Sequence, residues 1–305
     1  MAFFARCKYL VLAALLVAGA TAQAAAPVVV SSKIDTEGAV LGNLILLTLK
    51  DAGIPVKDRI QLGATSIVRK AIIAGEIDIY PEYTGNGAFF FHMKDSPVWK
   101  NAKEGYETVK KLDYKAHKIV WLTPAHANNT WAMSVRGDLA RAHHLKTMED
   151  LARYINNGGH FKFAASSEFV NSPAALPAFE KAYGFKLRPD QLVILSGGNT
   201  AATIRAAALK SNGVNGAMTY GTDGGLHALD LRVMKDTKGV QPVYEPTPII
   251  REAVLKTYPR IPKLLAPVFN ALNLQTLQRL NSDVAVKGEP ANKVARRFLK
   301  SLKQK

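Results

Sequence analysis

The side chains best placed to do chemistry in this chain are aromatic. Tyr80, Tyr83, Trp131, Tyr220 and Tyr244 each fall at or just after a segment that reads as a β-strand, out of ten Tyr and three Trp in 305 residues. Two readings fit such a set. Either the rings pack two halves of the molecule together, or their faces form a cage for a quaternary ammonium. That cation has no N–H to donate, so hydrogen bonds cannot hold it, whereas the electron-rich face of a ring can. Each face contributes about 0.5–1 kcal/mol when exposed and about 2 kcal/mol when dry. Three or four dry faces would supply several of the roughly 8 kcal/mol that micromolar binding requires.

Other chemistries lack their residues. The chain has no G-x-S-x-G elbow, Walker loop, H-E-x-x-H pair or dinucleotide-binding glycine fingerprint. Its seven His are scattered, and the adjacent His143 and His144 cannot form an i, i+4 metal pair. Glu82 has no second carboxylate close in sequence with which to share acid–base work. Gly197-Gly198-Asn199-Thr200 opens a helical pattern, and reads either as a plain capped start or as backbone N–H groups offered to an anion. No nucleophile–base pair or metal cluster emerges, so neither catalysis nor a cofactor is expected.

The elements that must position the aromatics follow from hydrophobic pattern. In the first third, strands at Val28–Val30, Ile60–Leu62 and Ile77–Tyr80 alternate with helices over Glu37–Ala52 and Thr65–Ala74, each ended by glycine (Gly53, Gly75). The middle repeats that grammar. Strands are expected at Trp131–Val135, Phe161–Ala165, Leu192–Leu195 and Val214–Thr219, with helices at Met148–Ile155, Ala174–Tyr183 and Asn199–Leu209. After Tyr244 only helices are expected, at Ile250–Tyr258, Ile261–Leu272, Leu274–Val284 and Ala291–Leu302. Strand–helix alternation argues for open, mostly parallel sheets with helices on both faces. The expected fold is therefore α/β and bilobed: lobe 1 from residues 25–132 plus 242–305, lobe 2 from 133–241. The helical tail would pack on lobe 1, with crossings near Trp131 and Val240. Ligands of such sheets bind beyond the carboxyl ends of the strands, where the aromatics lie.

The N-terminus reads as a cleavable secretory signal over residues 1–24. Arg6 and Lys8 precede an apolar run from Tyr9 to about Ala20, and Ala22-Gln23-Ala24 offers a small-x-small cleavage site. The run is shorter than the about 20 residues a spanning helix needs. Cys7, the single Cys, would leave with it, so a mature chain has no disulfide or thiolate ligand. The formal charge of +16 falls to +14 when Arg6 and Lys8 are removed (16 − 2). Export and the dispersal of that charge argue against a nucleic-acid partner. The densest basic run, Lys293, Arg296, Arg297, Lys300, Lys303 and Lys305, reads as the solvated face of a helix whose apolar face is Val294, Phe298 and Leu302.

Four motifs carry a resemblance. Ser-Lys-Ile-Asp-Thr-Glu-Gly at 32–38, Tyr-Pro-Glu-Tyr-Thr-Gly at 80–85, Asn-Asn-Thr-Trp at 128–131 and Tyr-Gly-Thr-Asp-Gly at 220–224 occur in order. Together they resemble the osmoprotectant-binding proteins of ABC importers, which capture glycine betaine, choline and related compounds in the periplasm. An enterobacterial branch of that family also carries Ala-Phe-Glu-Lys-Ala-Tyr-Gly-Phe, here 178–185. The resemblance implies a type II periplasmic binding protein, free of catalysis and cofactor, with a small quaternary-ammonium ligand and an inner-membrane ABC permease as partners, working as a monomer.

By position, the resemblance makes Tyr83, Trp131, Tyr220 and Tyr244 the cage walls, with the backbone carbonyl near Asn129 facing the cation. Lys33, by charge, and Asn86, by its amide, would meet a ligand carboxylate. Where many members carry a carboxylate-clamping Arg, this chain has Ser172. One hydroxyl in place of a bidentate, permanently charged fork removes a bond of roughly 1.5–3 kcal/mol, which would weaken betaine binding by about one to two decades. The alternatives kept open are a binding protein of the same fold for an amino acid or an anion, and a sensory partner that does not transport.

Overall fold

The computed structural model describes residues 26–195 and 200–304. The expected signal segment, and all but Thr200 of the 197–200 turn, lie outside the described residues. In chain order the elements are β1 (Val28–Lys33), α1 (Thr36–Asp51), β2 (Val56–Gly63), α2 (Thr65–Ala74), β3 (Ile79–Tyr83), α3 (Gly87–Phe90), α4 (Ala102–His117) and β4 (Ile119–Trp121). There follow β5 (Trp131–Arg136), α5 (Gly137–Ala142), α6 (Met148–Asn156), β6 (Phe163–Ser166), α7 (Ser167–Asn171), α8 (Leu176–Tyr183) and β7 (Leu192–Leu195). The chain continues through α9 (Thr200–Ala208), β8 (Gly216–Tyr220), α10 (Gly224–Ala228), β9 (Leu231–Val233) and β10 (Pro246–Arg251). It ends in α11 (Glu252–Thr257), α12 (Ile261–Asn270), α13 (Leu274–Ala285) and α14 (Ala291–Leu302).

The strands form two five-stranded sheets, ordered β2-β1-β3-β10-β4 and β7-β6-β8-β5-β9. One strand in each is reversed. β10 runs antiparallel to β3 and β4, and β5 runs antiparallel to β8 and β9. The remaining ladders are parallel. The sheets are thus mixed, and the two-sheet α/β architecture expected from the sequence is present. Central strands are buried on both faces because helices cover both: Val28 and Val30 of β1 sit in one core with α1 and the C-terminal helices, while Val29 joins another with α2 and α4. That double burial explains the unbroken valine run.

Local rules set the helix ends. The Asp35 side chain caps α1 by accepting from the Gly38 N–H at 2.7 Å. Gly38 carries no Cβ because one would press into the Lys33 carbonyl. At the far end of α2, Gly75 takes the left-handed conformation at φ 79°, as a terminating glycine should. The helical tail packs on the first sheet's side: Val294, Phe298 and Leu299 of α14 share a core with Leu41, Leu44 and Ile45 of α1. Its basic face is not left wholly to water. Arg296 pairs with Asp51 at 2.6 Å, and Arg297 bridges Asp283 and Glu289.

The expectation that only helices follow Tyr244 is corrected. Residues 246–251 form β10, the strand between β3 and β4, and the helix begins at Glu252 rather than Ile250. Pro246 and Pro248 hid it, since proline is uncommon inside a sheet. Here each proline contributes its carbonyl instead, Pro248 to the Leu122 N–H at 2.9 Å and Pro246 to that of Ala125 at 2.8 Å. Helix α4, unassigned from sequence, is capped by Asn101, which accepts from the Glu104 N–H. Tyr80 also differs from expectation: it lies inside β3, fully buried in a core, and not at a strand mouth.

Two segments link the sheets, one before β5 and one before β10, and they touch. The Asn129 N–H donates to the Tyr244 carbonyl at 2.9 Å, and the Tyr244 N–H donates to Asn128 Oδ1 at 2.8 Å. No described helix is long and apolar enough to cross a membrane.

Candidate ligand-binding site

Strand ends from both sheets and both linking segments meet at one place. Trp131, the first residue of β5, is the cross-strand partner of Tyr220, the last of β8. Their ring centroids are 6.4 Å apart at 30°, and Phe169 of α7 meets Trp131 edge-on at 5.8 Å. Tyr244, on the second linking segment, packs against Gly85, where a Cβ would collide with its ring. Gly85 follows Tyr83 by two residues at the end of β3. The Gly221 N–H donates to the Thr130 carbonyl at 2.9 Å, joining the β8 end to the first linking segment. Burial pushes the Tyr244 hydroxyl up to about 12, with Tyr220 beside it, and raises that of Tyr220 too. Three of the four expected wall residues, Trp131, Tyr220 and Tyr244, are thereby brought together, and Tyr83 ends the strand that leads to Gly85.

Behind the walls lies a charged layer. Lys33, 7% exposed, places Nζ 2.5 Å from Glu82 Oε1, and Glu82 is wholly buried. The same oxygen accepts from Asn86 Nδ2 at 2.7 Å and from the Tyr83 N–H at 2.8 Å, while Tyr80 Oη donates to Oε2 at 2.8 Å. The Lys33 ammonium also sits 4.4 Å from the Tyr83 ring centroid. Both residues assigned to a ligand carboxylate are therefore engaged with an internal one. A ligand carboxylate reaching them would compete with Glu82.

Asn129 reaches this layer by its side chain: Nδ2 donates to Glu37 Oε1 at 3.1 Å, and its Oδ1 is buried with no partner, as is Thr130 Oγ1 beside it. Buried polar atoms left unpaired are costly, by about 1–3 kcal/mol each, and are rare away from functional places. Ser172 stands apart. It ends α7, its N–H donating to the Glu168 carbonyl at 2.9 Å, and it shares no hydrogen bond with the other site residues among the described residues.

Sequence reasoning passed over Glu37, Thr222 and Asn281. Glu37, on the first turn of α1, accepts from Tyr83 Oη at 2.7 Å and, on its other oxygen, from Asn281 Nδ2 at 2.6 Å. Asn281 Nδ2 also donates to the Thr222 carbonyl at 2.9 Å. Burial raises the Glu37 carboxyl to about 7, against hydrogen bonds from Thr222, Tyr83 and Asn281 that favour the anion. Asp223, whose Oδ2 accepts the Tyr220 N–H at 2.7 Å, is pushed up to about 6 by burial. Glu37 lay inside a motif and directly after a strand, a signal that could have found it. Asn281 is fixed by tertiary packing of α13 and had none.

Residues 26–301 match the family described as "Substrate binding domain of ABC-type glycine betaine transport system". The chain belongs to that family. It is 57% identical over 278 residues to the glycine betaine-binding protein YehZ of Escherichia coli, covering 91% of each chain. It is 31% identical over 277 residues to a glycine-betaine-binding protein of Pseudomonas aeruginosa, covering 89% of this chain and 86% of that one. The solved structure of apo YehZ superposes with a TM-score of 0.87, over 91% of this chain and 99% of that chain. Family membership fits what the site offers, ring faces and buried acceptors.

Proposed function

We propose that this protein is the substrate-binding component of an ABC importer and captures a quaternary ammonium of the glycine betaine class, non-catalytically, between two lobes. One observation carries the reading: the rings of Trp131, Tyr220 and Tyr244, from three separate segments, gather at the strand ends, with Gly85, two residues after Tyr83, packed on the Tyr244 ring. The names of its relatives support the same ligand class. Rings with unpaired buried acceptors, Asn129 Oδ1 and Thr130 Oγ1, suit a cation that offers only weakly polarised C–H groups.

The reading assigns the walls to those four residues, the acceptor side to Asn129, and the carboxylate side to Lys33, Asn86 and Ser172. It takes the lobes as residues 25–132 with 242–305, and 133–241, closing about the paired linking segments by hinge bending. The signal segment would deliver the chain to the periplasm, and an inner-membrane permease would receive the ligand from a monomer. An anionic ligand suits the site less well, because the ammonium of Lys33 is already answered by Glu82. Isothermal titration with glycine betaine, choline, carnitine and proline betaine tests the proposal. Saturable heat with at least one is expected, and silence with all four at millimolar concentration would overturn it.

A further inference from the structure

Glu37 is 5% exposed, and its carboxylate is bonded to segments from both sides of the site. Its Oε1 takes the hydroxyl of Tyr83 from β3 and the amide of Asn129 from the first linking segment. Its Oε2 takes Asn281 of α13, which in turn holds the Thr222 carbonyl in the turn after Tyr220. That turn is fastened to α13 twice more. Gln278 Nε2 donates to the Gly221 carbonyl at 2.7 Å, and Gly224 lies so close to the backbone at Asn281 and Ser282 that no Cβ would fit. A wall from the first sheet and a wall from the second are thus registered to each other through one buried carboxylate.

We infer that Glu37 is a positioning residue of the cation site, holding the Tyr83 ring from behind and keeping it in register with the Tyr220 turn through Asn281. The inference rests on the function proposed above and deepens it. A phenol that donates to a carboxylate gains electron density, and its ring face binds a cation more strongly. The carboxylate also attracts the cation through a dry, low-dielectric layer. Both effects need the anion, so capturing a cation favours loss of a proton from Glu37, and binding and proton release become linked. Burial, which raises this carboxyl to about 7, sets the exchange near neutral pH.

The neighbouring charges leave Glu37 the natural seat of that exchange. Lys33 and Glu82, beyond Tyr83, are paired with each other. Asp283 of α13 is paired with Lys287 and Arg297. Asp35, on the same turn as Glu37, caps α1 and pushes the Glu37 carboxyl further up. Asp223, across the turn, and Glu245, next to Tyr244, are carboxyls that burial also raises; Asp223 holds the Tyr220 N–H rather than a ring hydroxyl, and Glu245 faces His126 at 3.8 Å.

The test is choline titration of the full chain by calorimetry from pH 6 to 8, repeated in buffers of differing ionisation enthalpy so that released protons are counted. The wild-type chain is expected to gain about tenfold in affinity across that range and to release a fraction of one proton near pH 7. Glu37→Gln should bind about tenfold more weakly at pH 8, with a flat pH profile and no proton release. Tyr83→Phe keeps the ring and removes the hydroxyl, and its loss should be non-additive with that of Glu37→Gln. A packing role alone would not move the pH profile. The inference falls if wild-type binding is pH-independent with no proton released, a measurement that needs no variant to fold. It also falls if the pH dependence survives in Glu37→Gln, which would assign the proton to another group such as Asp223. Failure of the wild-type chain to bind any quaternary cation would instead overturn the functional reading beneath it.

Discussion

Lys33 holds an ammonium 4.4 Å from the Tyr83 ring centroid while Glu82 answers its charge at 2.5 Å. Removing one partner of such a buried pair strands the other, so Lys33→Met is expected to destabilise the fold by about 3–5 kcal/mol, read from the midpoint of urea unfolding. Trp131→Ala removes a wall that also packs on Tyr220 and Phe169. It should reduce cation affinity by at least about tenfold, since a dry ring face contributes about 2 kcal/mol; unchanged affinity would make Trp131 packing alone. Ser172→Arg should strengthen glycine betaine binding and leave choline, which has no carboxylate, unaffected. For Glu37 the sign of the stability effect is fixed by its raised value. Stability from the protonated form is fully present below about 4.5 and is lost as pH rises through about 7. The unfolding free energy of the wild-type chain relative to Glu37→Gln should therefore fall by up to about 3 kcal/mol across that window, as measured by urea titrations at a series of pH values.

At the scale of elements, the tail helices act as part of the first sheet's core. Phe298 of α14 is 6% exposed and packs with α1, so Phe298→Ala should cost about 3–5 kcal/mol in unfolding free energy. Helices with strong local signals were legible: α1, α2 and α14 stand within a residue or two of where apolar spacing and glycine stops put them. β10 was not, because its two prolines argue against a strand until the partners of their carbonyls are known. α4 was missed although Asn101 and Glu104 carry a capping signal, since its apolar positions are few. The site divides the same way. Tyr83, Trp131 and Tyr220 were visible because they sit at strand ends, a one-dimensional mark. That Lys33 and Asn86 share an oxygen of Glu82, and that Glu37 ties α1 to α13, depends on residues far apart in the chain.

For the whole molecule, two sheets joined by adjacent linking segments predict a bending motion about the Asn128–Tyr244 contact. Saturating ligand should shrink the radius of gyration in solution scattering. It should also stabilise the fold by about 2.7 kcal/mol at one hundred times Kd, seen as a rise in melting temperature. The insertion of β10 between β3 and β4 has a separate consequence, for the order of events in folding. Tyr83 must wait for Pro246 before its ladder can close, whereas the strands of the second sheet all lie between Trp131 and Val233. Loop-closure entropy makes such distant pairings slow. The first sheet stays incomplete until β10, residues 246–251, is available, and its core until α14 packs on α1, so a nascent or partly threaded chain remains pliable and the folded state locks only once its C-terminal helices arrive.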